Sequence, residues 1–325
     1  MEGKKIIIFY YSYSTMSTEK LIKGVQAAFP NIEILLLPNE EKNDVSSYES
    51  ELEKIFNEQL KRLDMDYIDI YLLHGLDAPS WKMVDEFHVF DFVERKKREG
   101  KIGHIGFSYH DDYDTFSEII SAYPWDLCQI QLNYVDENFQ AGVKGLEYAR
   151  EHNVPVVIME PVKGGLLAKE YAGDWDMFST KMDPVDYAFS WVADKEGILT
   201  ILSGMSSREQ VEHNINLFDR LAPGCVPEED KKVYRYLAAS FKGLAKYECT
   251  GCEYCMPCAA GIDIPTVIDL TNQLKLYDNS PETFALYDRE DKKASDCIDC
   301  KACESVCPQG LPVSDIMKLA VKGFE

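Results

Sequence analysis

The chain has 325 residues, of which 46% are hydrophobic, and it carries a formal net charge of −22 at pH 7. This length accommodates one large domain and one small domain. Nucleic acid and anionic membranes are not expected as main partners, because their phosphate groups repel so negative a chain.

The start of the chain predicts a cytoplasmic protein. The apolar run that follows Met1 is too short for the core of a signal peptide, and no cleavage pattern follows it. No stretch of the sequence approaches the roughly 20 apolar residues of a membrane span. We therefore expect the ten cysteines to stay reduced and to serve as ligands rather than as disulfides.

Short apolar runs alternate with stretches of helical period from residue 5 to residue 218. The alternation predicts seven strand–helix units, and strands that are largely apolar indicate a parallel α/β sheet covered on both faces. A doubly wound open sheet and a closed barrel both fit this pattern. The predicted strands are residues 5–10, 32–37, 67–74, 102–108, 127–132, 154–159 and 199–203. The predicted helices are residues 17–28, 47–63, 84–97, 115–122, 141–151, 185–193 and 207–218.

A linker that contains Pro223 and Gly224 follows these units. We therefore expect a sheet-containing domain at residues 1–222 and a smaller, mainly helical domain at residues 223–325. The predicted helices of the smaller domain are residues 228–246, 265–276, 281–287 and 313–321.

Eight of the ten cysteines fall in this tail, in two groups. The first group is Cys249, Cys252, Cys255 and Cys258, and the second is Cys297, Cys300, Cys303 and Cys307. The second group has the Cys-x2-Cys-x2-Cys-x3-Cys-Pro spacing of bacterial ferredoxins, and the first group shares its opening triplet. Two such runs predict two 4Fe–4S clusters.

In ferredoxins the fourth cysteine of each run reaches across to the other cluster. This rule predicts that Cys307 joins the first three cysteines of the first group, and that Cys258 joins the first three of the second. A structural zinc ribbon would use two Cys-x2-Cys pairs, but it leaves the third cysteine of each run unexplained. Outside the tail, Cys128 lies in an apolar run and is interpreted as a small buried hydrophobe, and Cys225 is unassigned.

Polar residues end one predicted strand after another. In a parallel barrel, functional groups gather at the carboxyl ends of the strands, so these positions favour a site. A single strand-end histidine is more often a structural hydrogen-bonding residue, and the other side chains are what make it a candidate. The strand-end residues are His74, Ser108, Gln131, Asn133, Glu160, Ser203 and Gly204.

Four segments resemble the aldo-keto reductase family, in the family's order. They are Asp66-Tyr-Ile-Asp-Ile-Tyr-Leu-Leu-His, Glu99-Gly-Lys-Ile-Gly-His-Ile-Gly-Phe-Ser, and residues 129–134 and 202–214. The resemblance spans about residues 47–218, and the cysteine-rich tail is similar to the family branch with a ferredoxin-like C-terminal domain. It implies a TIM-type barrel that binds NAD(P)H and reduces carbonyls with a tyrosine acid, assisted by histidine, lysine and aspartate.

The resemblance also implies roles for individual residues. His74 matches the family's catalytic histidine. Ser108 and Gln131 match the positions that hold the nicotinamide amide. The segment that binds the adenosine phosphate end of the cofactor matches Gly204, Ser206, Gln210 and Asn214. The start of the predicted helix at residue 207 suits an anion, because its first N–H groups have no partner within the helix.

The N-terminal part departs from the family pattern, because the chain enters at the position of the family's second strand. In this alignment Tyr13 takes the place of the catalytic tyrosine, Ile8 that of the aspartate and Leu36 that of the lysine. A tyrosine with no cation nearby is a weak acid. Met159 takes the place of the aromatic residue that packs on the nicotinamide.

Two alternatives remain for the N-terminal part. Its hydroxyl-rich residues 11–19 also fit a flavodoxin-like phosphate loop, although a full flavodoxin domain needs a longer chain. In the barrel interpretation, seven units leave the barrel without its first strand–helix unit and with open strand edges. The N-terminal residues, the cluster domain or another chain could cover these edges, the last as a homo-oligomer.

These features predict an iron–sulfur oxidoreductase that couples a nicotinamide or organic carbonyl/alcohol site in the barrel to the two clusters. A cluster moves one electron and a hydride carries two, which makes flavin a candidate mediator. The expected partners are a small-molecule substrate and a ferredoxin or other redox protein. The alternative is an electron-transfer or scaffolding subunit of a larger redox complex, with a barrel that has lost catalysis. In a third interpretation the clusters are purely structural.

Overall fold

The computed structural model describes residues 45–171, 173–247, 249, 254–307 and 310–325, with the backbone alone at 45–48. These residues form two compact units. The first comprises the described residues up to Gly164 together with Asp186–Val226, and the second comprises Gly165–Val185 with Pro227–Glu325. The border expected between a domain at residues 1–222 and a domain at residues 223–325 stays a prediction.

The first unit is built on a five-stranded parallel sheet whose strands follow one another in chain order. This confirms the predicted α/β fold and the five strands expected between residues 67 and 203. A doubly wound sheet reverses its strand order at a switch point, whereas a barrel keeps the chain order, as this sheet does. The strands are β1 Ile68–Leu76, β2 Ile102–Tyr109, β3 Leu127–Gln131, β4 Val156–Met159 and β5 Ile198–Ile201.

The register of the sheet aligns a row of fully buried side chains. Phe107 on β2 lies beside Cys128 on β3, which lies beside Val156 on β4, and all three are 0% exposed. Cys128 therefore packs as a small apolar side chain, as predicted, and burial raises the pKa of its thiol. The predicted strands at 5–10 and 32–37 and the predicted helix at 17–28 lie outside the described residues.

The helices of this part largely match the prediction. They are α1 Val45–Leu63, α2 Ala78–Glu86, α3 Val89–Arg98, α4 Tyr113–Ala122, α5 Gly142–Glu151, α6 Pro184–Ala193 and α7 Arg208–Phe218. The single helix predicted at 84–97 is wrong, because the segment contains two helices. Asp77 caps the earlier one by accepting from the Ser80 N–H (2.8 Å), and His88 breaks the path with a left-handed φ of 51°.

An aromatic cluster fixes the carboxyl end of β2. The ring of Phe107 packs against Trp125 with centroids 4.7 Å apart, and Tyr109 packs against Phe116 of α4 at 5.2 Å. The Tyr109 hydroxyl donates to the carbonyl of Asp112 (2.5 Å), whose side chain caps α4. Because Tyr109 is fully buried, the residues on either side of it are held in one position.

The second unit is mainly helical, as predicted. Its helices are α8 Glu228–Leu244, α9 Ile264–Leu276, α10 Pro281–Asp288, α11 Ala302–Val306 and α12 Val313–Phe324. An apolar core between α9 and α12 includes Val267, Ile268, Ile316, Met317 and Ala320. In the described part of the chain, none of the helices is both long and apolar enough to cross a membrane.

Candidate functional site

The carboxyl edge of the sheet collects the polar residues that end the predicted strands. His74, Ser108 and Gln131 lie in three adjacent strands, and Glu160 directly follows the fourth. Parallel strands have their carboxyl ends at the same edge, so the fold brings these residues to one side of the sheet.

Ser108 connects the ends of β1 and β2. Its side chain is 0% exposed, and its Oγ accepts a hydrogen bond from the Gly75 N–H (2.7 Å). The register of the two strands shifts between Leu73 and Leu76, next to His74. Gly75 has a left-handed φ of 64°, which glycine adopts without the steric cost that a side chain would bring. This irregularity sets the position of His74.

His74 is partly buried at this edge. Burial, and to a smaller extent the neighbouring His110, lowers the pKa of His74 from its ordinary value of 6.5 to about 4. The imidazole is therefore neutral at pH 7. A neutral imidazole can donate or accept a hydrogen bond to a substrate oxygen, but it does not supply a positive charge.

Asp136 is the centre of a polar network beyond β3. Its Oδ2 accepts hydrogen bonds from Gln131 Nε2 (3.2 Å), Asn133 Nδ2 (3.1 Å) and Lys163 Nζ (2.5 Å). Asn133 also donates to the carbonyl of Glu160 (3.1 Å), so the network joins the ends of β3 and β4. Sequence reasoning missed Asp136 and Lys163. The signal was an aspartate three residues after a strand-end asparagine, and a lysine in the loop that follows Glu160.

The loop after β4 holds two side-chain-bearing residues in left-handed backbone conformations. Glu160 has a φ of 56° and Lys163 a φ of 49°. Each such residue costs on the order of 1–3 kcal/mol, and such conformations cluster at functional sites. Glu160 Oε2 accepts from the Gly164 N–H (2.5 Å), which closes the turn between them.

The residues predicted to bind the adenosine phosphate end lie together at the start of α7. Gln210 Oε1 accepts from the N–H groups of Ser206 (2.7 Å) and Ser207 (3.3 Å), and Asn214 Nδ2 donates to Ser203 Oγ (3.0 Å). A Cβ placed on Gly204 would meet no atom within 4 Å, so there is open space beside the backbone. Helix N–H groups and open space fit a phosphate group.

The predicted catalytic Tyr13 and the replaced positions Ile8 and Leu36 lie outside the described residues. Their roles stay predictions, as do the roles assigned to His74, Ser108 and Gln131.

The cysteines of the second unit surround its apolar core. Five of them pack against the cluster of buried residues between α9 and α12: Cys249, Cys255, Cys258, Cys297 and Cys303. Cys300 is exposed, Cys307 is partly buried, and Cys252 lies outside the described residues. Thiols from both sequence groups therefore meet on one core, although more than 30 residues separate the groups.

The environment of Cys303 disfavours its thiolate on balance. Burial raises the pKa of its thiol, and the negative charge of Glu304 acts in the same direction. The N–H groups of Cys303 and Glu304 point at the sulfur and oppose this rise, because they stabilise the thiolate. Hydrogen bonds to cysteine sulfur are one means by which proteins tune iron–sulfur clusters.

The described residues contain no group of three histidine, cysteine, aspartate or glutamate side chains that could hold a single metal ion. The thiolates of a 4Fe–4S cluster bind different iron atoms, so they surround a larger group than one ion. A soft, all-sulfur donor set packed on an apolar core fits an iron–sulfur cluster.

Comparisons with known proteins identify a family for each part of the chain. A sequence model of the aldo/keto reductase family matches residues 23–223, and one of the 4Fe-4S dicluster domain matches residues 248–311. The NADH-specific methylglyoxal reductase of Escherichia coli strain K12 is 24% identical over 185 residues, which cover 48% of this chain. The L-galactose dehydrogenase of Arabidopsis thaliana is 26% identical over 231 residues, which cover 63% of this chain.

The chain spans 56% of the methylglyoxal reductase and 70% of the galactose dehydrogenase. Solved structures with lower similarity include an aldo-keto reductase from Bacillus halodurans in its holo form, with 21% identity and a TM-score of 0.48 over 67% of this chain and 76% of that one. Another is an aldo-keto reductase from Klebsiella pneumoniae in complex with NADPH, with 20% identity and a TM-score of 0.42 over 57% of this chain and 64% of that one. Because the first family model spans more than half of the chain, the protein belongs to the aldo/keto reductase family, with a 4Fe-4S dicluster domain following the reductase domain.

Proposed function

We propose that this protein is an iron–sulfur oxidoreductase of the aldo-keto reductase type. A nicotinamide-dependent site for a carbonyl or alcohol in the first unit would exchange electrons with two 4Fe–4S clusters in the second. The observation that carries the proposal is the presence of a reductase-family domain and a dicluster domain in one chain. By their names, both curated relatives perform oxidoreductase chemistry on small carbonyl or sugar substrates.

Side chains at the carboxyl edge of the sheet support this proposal. A neutral His74 can donate a hydrogen bond to a substrate oxygen without first giving up a proton. The bonds from Lys163 and Asn133 to Asp136 hold the neighbouring Gln131 in one orientation. At the start of α7, a bound phosphate would accept the backbone hydrogen bond that the Ser206 N–H now donates to Gln210 Oε1.

The proposed ligands of the clusters follow the crossing rule. One cluster would be held by Cys249, Cys252, Cys255 and Cys307, and the other by Cys297, Cys300, Cys303 and Cys258. When bound, the clusters supply one-electron transfer, whereas a hydride carries two electrons. A flavin or a redox protein such as a ferredoxin is therefore proposed as mediator or partner.

The test is an anaerobic titration of the cluster-loaded protein with NADH and then with NADPH. Nicotinamide fluorescence reports binding, and the visible absorbance of the clusters reports their reduction. Binding together with bleaching is the expected result. Binding without bleaching means that the reductase site works with another donor and is not coupled to the clusters. Absence of binding by both nucleotides contradicts the proposal.

One observation favours a second candidate, an electron-transfer or scaffolding subunit with a catalytically inactive barrel. Ser108 and Gln131, the positions expected to hold the nicotinamide amide, already bond to Gly75 and Asp136. Copurification with a larger redox partner would favour this candidate. Carbonyl reduction that is lost in a Tyr13→Phe, His74→Ala double variant would exclude it.

A further inference from the structure

The second cysteine group begins at a short turn that a buried tyrosine holds in place. Ala294–Asp296 form one turn of 3-10 helix directly before Cys297. Tyr287, in the last turn of α10, is 2% exposed, and its hydroxyl accepts a hydrogen bond from the Ala294 N–H (2.7 Å). Ala294 is itself buried, and Cys297 packs against the same apolar core as both residues. The turn before the cysteines is therefore anchored in the core of the second unit.

Glu325 holds the same turn from the end of α12. Its Oε1 accepts hydrogen bonds from the Tyr287 hydroxyl (2.7 Å) and from the Ser295 N–H (3.2 Å). The ring of the preceding residue, Phe324, stacks on the ring of Tyr287, with centroids 4.1 Å apart and planes 7° from parallel. A carboxylate and an aromatic ring at the end of one helix thus fix a tyrosine on another helix.

Three consecutive backbone N–H groups in this segment are each bound by a side chain. The Lys293 N–H donates to Asp296 Oδ2 (2.9 Å), and the next two N–H groups donate to Tyr287 and Glu325. Lys293 Nζ also donates to the carbonyl of Tyr287 (2.7 Å). Ordering a backbone costs conformational entropy, and these bonds offset that cost without a ligand. The protein itself therefore sets the direction in which the chain enters Cys297.

The carboxylate of Glu325 is connected to Cys297 through a single peptide group. The N–H of this group belongs to Ser295 and donates to Glu325 Oε1. Its carbonyl belongs to Ala294 and accepts from the Cys297 N–H (3.0 Å). Hydrogen bonds in such a chain polarise one another, so the negative charge makes the carbonyl a better acceptor. Glu325 thereby acts on the backbone of Cys297 without touching it.

Glu325 is ionised at neutral pH. Burial raises the pKa of its carboxyl group, but the hydrogen bonds from Ser295 and Tyr287 outweigh this effect, and the pKa lies below its ordinary value. Burial raises the pKa of Tyr287, so the hydroxyl stays protonated and remains the donor. Hydrogen bonds with one ionised partner are shorter and stronger than neutral ones. The pair is thus suited to hold the turn firmly.

We infer that Tyr287 and Glu325 are positioning residues for Cys297, and that the charge of Glu325 lowers the reduction potential of the cluster that Cys297 would ligate. This inference rests on the proposed function, which takes Cys297 as a ligand. Reduction by one electron adds a negative charge to a cluster, so a carboxylate bonded to the backbone of one ligand segment disfavours the reduced state. Because this charge acts on one of the two clusters, it gives the chain a means of setting the order in which they are reduced.

The first experiment is a redox titration of the full-length, cluster-loaded protein, followed by electron paramagnetic resonance. Glu325→Gln keeps an acceptor oxygen and removes the charge. We therefore expect the midpoint potential of one cluster to rise and that of the other to stay unchanged. Cys297→Ser identifies the signal of the cluster that Cys297 ligates. The matched control is Glu282→Gln, which removes the same charge from an exposed pair with Lys169 in the same unit.

The second readout is the rate of iron release to an anaerobic chelator. Tyr287→Phe keeps the ring that stacks on Phe324 and removes the hydroxyl that joins Ala294 to Glu325. Groups that orient metal ligands contribute about 10–100-fold to metal affinity, so iron release should be at least about tenfold faster. If Tyr287→Phe does not fold, Glu325→Gln decides the inference, because the Glu325 side chain is exposed. Neither readout requires reductase activity.

Each outcome decides one claim. Potentials and iron-release rates equal to those of the wild type in both variants overturn the inference and leave the proposed function intact. A rise in potential that is the same in both clusters, or the same in Glu282→Gln, reflects net charge alone and overturns the role of Glu325. A wild-type protein that binds no cluster overturns the proposed function and, with it, this inference.

Discussion

The two units of this protein hold their functional groups in different ways. In the second unit, thiols from two sequence groups pack on one small apolar core. In the first unit, the site lies on the edge of a sheet whose buried side chains and backbone pairing need no ligand. Metal bound to cysteine sites contributes directly to the stability of the unit that holds it, whereas the sheet of the first unit needs no metal. The difference teaches that ligand loss should affect the two units unequally.

The largest expected effect comes from removing the iron. We expect anaerobic chelation to destabilise the second unit by several kcal/mol, because metal binding to cysteine sites contributes directly to folding. Hydrogen exchange followed by mass spectrometry should show lost protection in α9 and α12, with β1–β4 unchanged. Cys303→Ser should produce part of this loss, and Cys225→Ser, outside both groups, should produce none. Protection of α9 and α12 that survives chelation would show that the core alone holds this unit.

The next largest effect sharpens the comparison with one equivalent change in each unit. Ile316 in the second unit and Ile130 in the first are 0% and 1% exposed, so each isoleucine-to-alanine substitution should cost about 2–5 kcal/mol. We expect Ile316→Ala to raise the rate of iron loss and to leave nucleotide binding unchanged. We expect Ile130→Ala to weaken nucleotide binding and to leave the rate of iron loss unchanged. Equal effects of both variants on iron loss would contradict the expectation that the two units depend unequally on the clusters.

The third prediction concerns the pH dependence of the first unit. The folded protein holds the pKa of His74 at about 4, below the ordinary 6.5, so the unfolded chain binds this proton first as pH falls. The stability contribution of neutral His74 is complete above pH 6.5 and is lost as pH falls towards 4. With partial solvent screening, the loss is about 2 kcal/mol. Urea unfolding of the wild type and His74→Gln at several pH values measures it. If the free energy of unfolding falls with pH equally in both proteins, His74 is not the source of the loss.

The smallest expected effect concerns the Lys163–Asp136 pair. Lys163→Met removes one of three donors to a nearly buried carboxylate, which should cost about 1–2 kcal/mol because Gln131 and Asn133 still donate to it. Substrate affinity should fall along with stability. The control is Lys54→Met, since the Lys54 side chain is 71% exposed and pairs with Glu51 at 3.6 Å. Equal unfolding midpoints for both variants would show that the pair adds nothing.

The sequence predicted the strands and the cysteines far better than it predicted the neighbours of His74. Strands such as β4 are apolar throughout, and the cysteine groups are recognised by their local spacing, so both can be found without tertiary structure. His110, Asp136 and Lys163 have no such local pattern. Their proximity to the site depends on the register between strands, on the bulge beside His74 and on left-handed backbone at Glu160, which no short sequence window encodes. The break in the predicted helix 84–97 also depends on left-handed backbone, at His88, which the sequence pattern does not reveal.

The left-handed conformations at Glu160 and Lys163 have a consequence for protein engineering. Glycine at either position would relieve the steric cost while it removed a side chain from the carboxyl edge. At both positions this relief is offset by the loss of a side-chain bond, from Lys163 Nζ to Asp136 or from the Gly164 N–H to Glu160 Oε2, so a directed-evolution screen for heat tolerance has little to gain from glycine there. Thermostabilisation of this protein should be sought in the second unit or on the outer helices, with the loop after β4 kept as it is.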